Sequence, residues 1–302
     1  MSTTTHLQAA DDRRHALRPP IGRESLAFIV PLPDEELGLI AYTYVDHEDN
    51  AGTLIMVWGP DGLIVNERSP SEPATGLDFD DWRIGGLEVA HIDPLQRFTL
   101  RYDSDAVAFD LTAVARHRAY AYGEHRDGCP TWLADDRFEQ HLDLEGTLRV
   151  GDREISLDGR PLFRDHSWGT RDWRGPQHWK WIHLSAGESS VHLMEVVHLG
   201  RRDIPGFVHR DGVTSGITSF TVDELEFGPD FVHTFMAATI VDEDGRETKV
   251  TSRPVVSTLF PAHEALRMND STVLCEIAGE SGHGHVELLW DTPYAEYHAS
   301  KG

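Results

Sequence analysis

Along most of the chain, apolar and polar positions alternate in short runs. Residues 27–32, 37–45, 53–58 and 63–66 each carry such a run, and Pro31, Pro33, Asp49-Asn50 and Pro60-Asp61-Gly62 punctuate them. Runs of this length with these separators predict strands joined by hairpins. A polar loop containing Pro70 and Pro73 follows over 69–81, and strands resume at 87–92, 97–102 and 106–114. After an irregular stretch at 123–136, residues 138–150 form a long period-two run whose hairpin partner, 154–157, follows the Gly151-Asp152 turn. The same texture continues at 179–184, 190–199, 206–210, 216–222, 231–241, 248–259, 272–277 and 285–290.

This pattern gives roughly sixteen strands and no amphipathic helix of three turns, so the fold class is all-β. Strands of about six residues in that number exceed one small barrel. Two tandem β-barrel or half-barrel domains fit the count and remove most exposed edges, with a single large sandwich as the alternative. The expected organisation is a disordered tail over residues 1–20, an N-terminal domain over 21–160 and a C-terminal domain over 161–302. The stretch 123–136 is a second candidate boundary.

Charge narrows the partners. The 302 residues hold 27 Lys plus Arg against 51 Asp plus Glu, a net charge of −24 that repels phosphate backbones and anionic lipid. Nucleic acid is therefore not an expected partner. No run approaches the roughly 20 apolar residues of a membrane span, and the polar N-terminus has no secretory signal. Cys129 and Cys275 supply neither a disulfide framework nor a zinc site, so a cytoplasmic location is expected; an oligomer is compatible with all of this.

Candidate chemistry concentrates where aromatic and charged residues mix. Trp168, Trp173, Trp179 and Trp181 are half of the eight tryptophans, interleaved with Arg171, Asp172 and His178 and flanked by Asp165, His166 and His183. The first half reads as a loop turning at Gly169 and Gly175. In the strand at 179–184, period two puts Trp179, Trp181 and His183 on one face. That face is either a cavity wall or a bulky interior in which His183 is inert. Asp165 beside His166 suits general acid catalysis, although Arg164, Arg171 and Arg174 alternating with Asp165 and Asp172 would equally make a structural ion-pair network. Glu195, among apolar neighbours, is expected at an exposed edge. The histidines and aspartates match no zinc spacing, and no serine-hydrolase, P-loop or dinucleotide motif is present, so neither a metal nor a cofactor is expected.

The run Arg164-Asp165-His166-Ser167-Trp168-Gly169-Thr170-Arg171-Asp172-Trp173, with Phe138-Glu139-Gln140 upstream, resembles the lipocalin-like superfamily of hydroxyneurosporene synthase (carotenoid hydratase) and the AttH-type proteins. The resemblance extends over residues 138–199. It implies two lipocalin-like β domains with a hydrophobic pocket near their junction, and cofactor-independent hydration or dehydration, isomerisation or cyclisation of an unsaturated terpenoid-, steroid- or polyketide-like substrate. The enzyme would then be a hydro-lyase (hydratase), isomerase or cyclase.

The expected catalytic residues are Asp165, His166 and Glu139, and the expected substrate-binding residues are Trp168, Arg171, Trp173, Trp179, Trp181 and His183. In this reading Asp165, desolvated by indoles and held by His166, protonates an alkene. If a neighbouring arginine pairs with Asp165, the acid role passes to His166 or Glu139. The alternative class is a non-catalytic binding protein or carrier for a lipophilic small molecule.

Overall fold

The computed structural model describes residues 7–172, 175–263 and 265–301. Two antiparallel sheets hold all the strands among them. In the first, the strands run in the spatial order Gly62–Arg68, Asn50–Gly59, Leu37–Asp46, Gly22–Leu32, Pro161–Thr170, Asp136–Val150, Val107–Ala115, Arg97–Asp103, Leu87–Asp93 and Asp81–Ile84. This sheet is open and curls around its own apolar core as a half-barrel. The second sheet closes: Pro176–Ala186 pairs with Glu280–Asp291 on one side and with Ser189–His198 on the other, which makes a barrel of eight strands. The expected all-β fold of two barrel or half-barrel domains is the fold observed.

Alternation explains how the sheets stack. In the strand Gly22–Leu32, Leu26, Phe28 and Val30 point into the half-barrel core, while Ala27 and Ile29 point out of it. In the strand Pro176–Ala186, Ile182 and Leu184 fill the barrel, while Trp179 and Trp181 point outward. The outward faces of the two sheets meet in a third apolar cluster that includes Trp58, Phe163, Met194 and Leu289. Both domains therefore carry strands with two buried faces, and a cavity lies between them.

Three expectations change. The 164–173 run is not a loop: residues 161–170 form a central strand of the first sheet, paired with Gly22–Leu32 on one side and Asp136–Val150 on the other. The chain consequently changes sheet between Thr170 and Pro176, so residues 161–170, expected to open the second domain, complete the first sheet. Next to the strand's last residue is Gly169, whose φ of +107° suits glycine and where a Cβ would sit 2.3 Å from the Asp135 side chain.

The second change concerns the tail. Residues 1–6 lie outside the described residues, but 7–20 are packed on the half-barrel. Leu7 is buried, Ala9–Asp12 form a 3-10 turn, and Arg14 bonds to Asp49 at 2.6 Å and to the carbonyls of Ala74 and Leu77. Asp12 accounts for this order. It pairs with the fully buried Arg164, whose charge would otherwise be left uncompensated in the core. The third change is Glu195, which is buried and paired with Lys180 and, at 2.5 Å, with Arg202. Burial would raise its pKa, but these two cations outweigh burial and hold it below the ordinary range.

The C-terminal helix Thr292–Ala299 is an addition to the sequence-based picture, with Asp291 capping it by accepting from the Tyr294 amide at 3.3 Å. No helix among the described residues is long and apolar enough to cross a membrane. Cys129 and Cys275 are both free.

Candidate functional site

A cavity of about 330 Å³ opens between the sheets. Its apolar lining includes Ile40, Met56, Met194, Met268 and Phe260, and Trp179 and Trp181 form an aromatic wall. Polar groups enter at two places. From the half-barrel come Arg23, Tyr42, Arg137, Asp165 and Arg171; from the barrel come Asp270 and Glu287. A mostly apolar cleft with a few convergent polar groups is the usual form of a small-molecule site.

Asp165 lines this cavity as expected, and its partner is Arg137, with nitrogen and oxygen 2.6 Å apart. The same guanidinium holds Glu139 at 2.6 Å. The alternation of Arg137-Phe138-Glu139 puts both charged residues on the cavity side of their strand while Phe138 packs against the opposite face. Glu139 is fully buried behind Trp181, accepting from the indole Nε1 at 3.2 Å and from the Tyr122 hydroxyl at 3.4 Å. Burial, reinforced by the nearby Asp165 charge and only partly offset by Arg137, pushes its pKa up to about 8.

His166 and Trp168 are corrections. Period two turns them to the other face of the strand that carries Asp165, into the half-barrel interior. There His166 Nε2 lies 2.8 Å from Glu24 Oε1, and Trp168 stacks on His15 with ring centroids 3.9 Å apart. Neither reaches the cavity. His183 shares a face with Trp181 as expected but sits deeper, stacked on Phe163 and with Nε2 3.6 Å from Glu139. Its burial, with His192 and His285 nearby, holds its pKa well below the usual value, so it is a neutral imidazole. Arg171, Trp179 and Trp181 line the cavity as expected, and Trp173 lies outside the described residues.

The sequence reading missed Asp270 and Glu287. They face each other directly across the barrel strands Leu266–Ile277 and Glu280–Asp291. Trp179 donates its indole N–H to Glu287 at 2.5 Å, and His285 Nε2 lies 3.1 Å from Asp270. Burial raises the pKa of Asp270 to about 7, and burial together with the Asp270 charge raises that of Glu287 to about 8. His285, held to about 4 by burial, is a neutral imidazole beside Asp270. One signal was present: in His285-Val286-Glu287-Leu288-Leu289, period two places Glu287 on the same face as His285. Asp270 gave no signal, because Asn269-Asp270-Ser271-Thr272 has no apolar alternation.

Among the described residues, two groups have ligand types that could hold a metal: Glu139 with His183 and His192, and His15 with Glu24 and His166. In the first, Arg137 already sits on Glu139, and a second cation there would be repelled. In the second, both imidazoles are hydrogen-bonded to the same Glu24 oxygen, at 2.7 and 2.8 Å, which leaves no coordination space between them.

The family model described as "Domain of unknown function (DUF7064)" matches residues 8–292. No curated protein matches the sequence significantly. Among solved structures, an AttH-designated protein from Nitrosomonas europaea superposes with a TM-score of 0.68 at 14% identity, covering 95% of this chain and 98% of that one. Kievitone hydratase from Nectria haematococca gives a TM-score of 0.57 at 11% identity, covering 90% of this chain and 89% of its own. CghA, crystallised with Sch210972, gives 0.63 at 14% identity with coverages of 90% and 89%. At these identities the likeness is one of fold, and the fold is the lipocalin-like, AttH-type one that the 164–173 motif led us to expect.

Proposed function

The chain belongs to the DUF7064 family and carries it on an AttH-type fold; from that premise we propose an enzyme that uses acid catalysis, without a cofactor, on a carbon–carbon double bond of a hydrophobic small molecule. The observation that carries this reading is the Asp270–Glu287 pair in the wall of an apolar, tryptophan-faced cavity. Two carboxyls side by side out of water hold a proton near neutral pH, and a neutral carboxylic acid is the species able to protonate a weakly basic alkene.

Asp165 is tied to Arg137, so the acid role passes to Glu287, with Glu139 as a second buried acid behind Trp181. The Glu287 proton goes to one alkene carbon, the π electrons form the new C–H bond, and the other carbon becomes cationic. The faces of Trp179 and Trp181 stabilise that cation by ~0.5–2 kcal/mol per ring when desolvated. Water attack then gives an alcohol, loss of a neighbouring proton gives an isomer, and attack by an internal double bond followed by proton loss closes a ring. Each ending returns one proton to the Glu287 carboxylate. The cavity suits a terpenoid-, steroid- or polyketide-like substrate. That one protein of similar fold is named a hydratase and another was crystallised with Sch210972 supports this reading.

The test is incubation of a panel of unsaturated terpenoids, steroids and polyketides in deuterated water, followed by mass spectrometry. Product carrying solvent deuterium with the wild type and not with Glu287→Gln supports acid catalysis. A ligand that binds and is recovered unchanged from both supports the carrier instead.

A further inference from the structure

The half-barrel side of the cavity has a polar end that the proposed chemistry does not use. Arg23 lies at the end of its strand, opposite Gly169. Four residues along that strand, about 14 Å at the usual rise, Ala27 stands opposite Asp165. The Arg23 guanidinium stacks 3.7 Å above the Tyr44 ring and donates to the Tyr42 hydroxyl at 3.1 Å. Its Nε is buried without a hydrogen-bond partner, and it enters no ion pair among the described residues. The contrast with Arg137, which holds both Asp165 and Glu139, is informative in a chain where acids outnumber bases 51 to 27. A half-buried guanidinium in such a chain would ordinarily find a carboxylate.

The surroundings of Arg23 suit an anion. Arg171 donates to the Ser167 hydroxyl at 2.5 Å, and Ser167 lies 3.2 Å from the Ser25 hydroxyl, so donors converge around Tyr42. The phenol itself reports a positive potential: burial would raise its pKa, but Arg23 and Arg171 outweigh burial and lower it.

We propose that Arg23, with the Tyr42 hydroxyl and Arg171, forms a carboxylate subsite, and that the substrate is a lipophilic carboxylic acid. Its headgroup docks here while its apolar body runs along Trp179 and Trp181 toward Glu287. A planar guanidinium matches a carboxylate in two-point geometry, and the Tyr42 hydroxyl supplies a third donor. Anchoring the head fixes which carbon of the chain meets Glu287, so the subsite would set the position of reaction. The inference deepens the enzyme reading and rests on it for the role of Glu287; the binding preference itself does not depend on turnover.

The experiment measures binding of dodecanoate, methyl dodecanoate and dodecanol to the full chain by calorimetry and tryptophan fluorescence. The expected result is dodecanoate bound at least tenfold more tightly than either neutral analogue. Arg23→Met should erase that preference while dodecanol binding is kept, and Arg23→Lys should retain part of it. Equal affinity for acid and alcohol in the wild type overturns the subsite and leaves the enzyme reading standing, as does a preference that survives Arg23→Met. Binding of none of the three overturns the lipophile cavity and the subsite together.

Discussion

Asp165 and His166 are consecutive in the chain and face opposite sides of one buried strand. Asp165 enters the inter-sheet cavity on Arg137, and His166 enters the half-barrel core on Glu24. Their adjacency in sequence is therefore a separation in space, and the two residues do different work. His166 and Glu24, with His15 and Trp168 stacked above, hold the strand and the N-terminal segment together. Replacing His166 by alanine leaves Glu24 buried with one donor fewer. The expected loss is about 2–3 kcal/mol in stability, read from the urea midpoint, with lipophile binding per folded molecule unchanged.

Acid should loosen the same region through Asp12. Burial acts to raise its pKa, but Arg164 and His91 outweigh burial and bring it from the ordinary 3.8 to about 2. A depressed folded pKa gives stability that is fully present above about pH 4 and is lost as pH falls through about 2, here about 2 kcal/mol. Urea unfolding at pH 6 and at pH 2 checks this. Asp12→Asn should be less stable at pH 6 and should lack this part of the acid sensitivity.

The raised carboxyls act in the opposite direction. Glu287 and Glu139 bind protons more tightly folded than unfolded, so their contribution to stability falls as pH rises from about 4.5 toward 8. If protonated Glu287 is the working acid, the rate declines as pH passes about 8. Glu287→Gln should lower kcat by ~10²–10⁴ with little change in ligand affinity. A pH–rate profile on an identified substrate measures both.

Trp179 offers a finer test, because its indole N–H donates to Glu287 and favours the carboxylate form. Trp179→Phe keeps an aromatic face and removes that donor. The alkaline limb of the rate profile should then move to higher pH; movement to lower pH would place the Trp179 contact elsewhere in the chemistry.

The strand texture was readable because each sheet alternates cleanly wherever one face is apolar core and the other is less so. The 161–170 strand escaped for a physical reason. Both its faces are buried and both are polar in part, so Arg164, Asp165, His166 and Ser167 look like a loop until Asp12, Arg137, Glu24 and Ser25 are seen to satisfy them. The tryptophan wall was legible from Trp179 and Trp181 alone, through period two. Asp270 was not, since its strand segment, Asn269-Asp270-Ser271-Thr272, carries no apolar rhythm. The packed N-terminal segment was hidden by composition: a polar tail looks disordered until one of its aspartates is needed by a buried arginine.

Glu287, paired with Asp270, is expected to keep a proton on the cavity wall at neutral pH. Infrared difference spectroscopy of the carboxyl C=O stretch, taken at pH 7 on the wild type and on Glu287→Gln, tests it without knowledge of the substrate. The expected result is a protonated-carboxyl band in the wild type that weakens in Glu287→Gln and titrates away as pH rises past about 8. An identical band in the two proteins would mean that Glu287 is ionised at neutral pH and cannot be the proton donor.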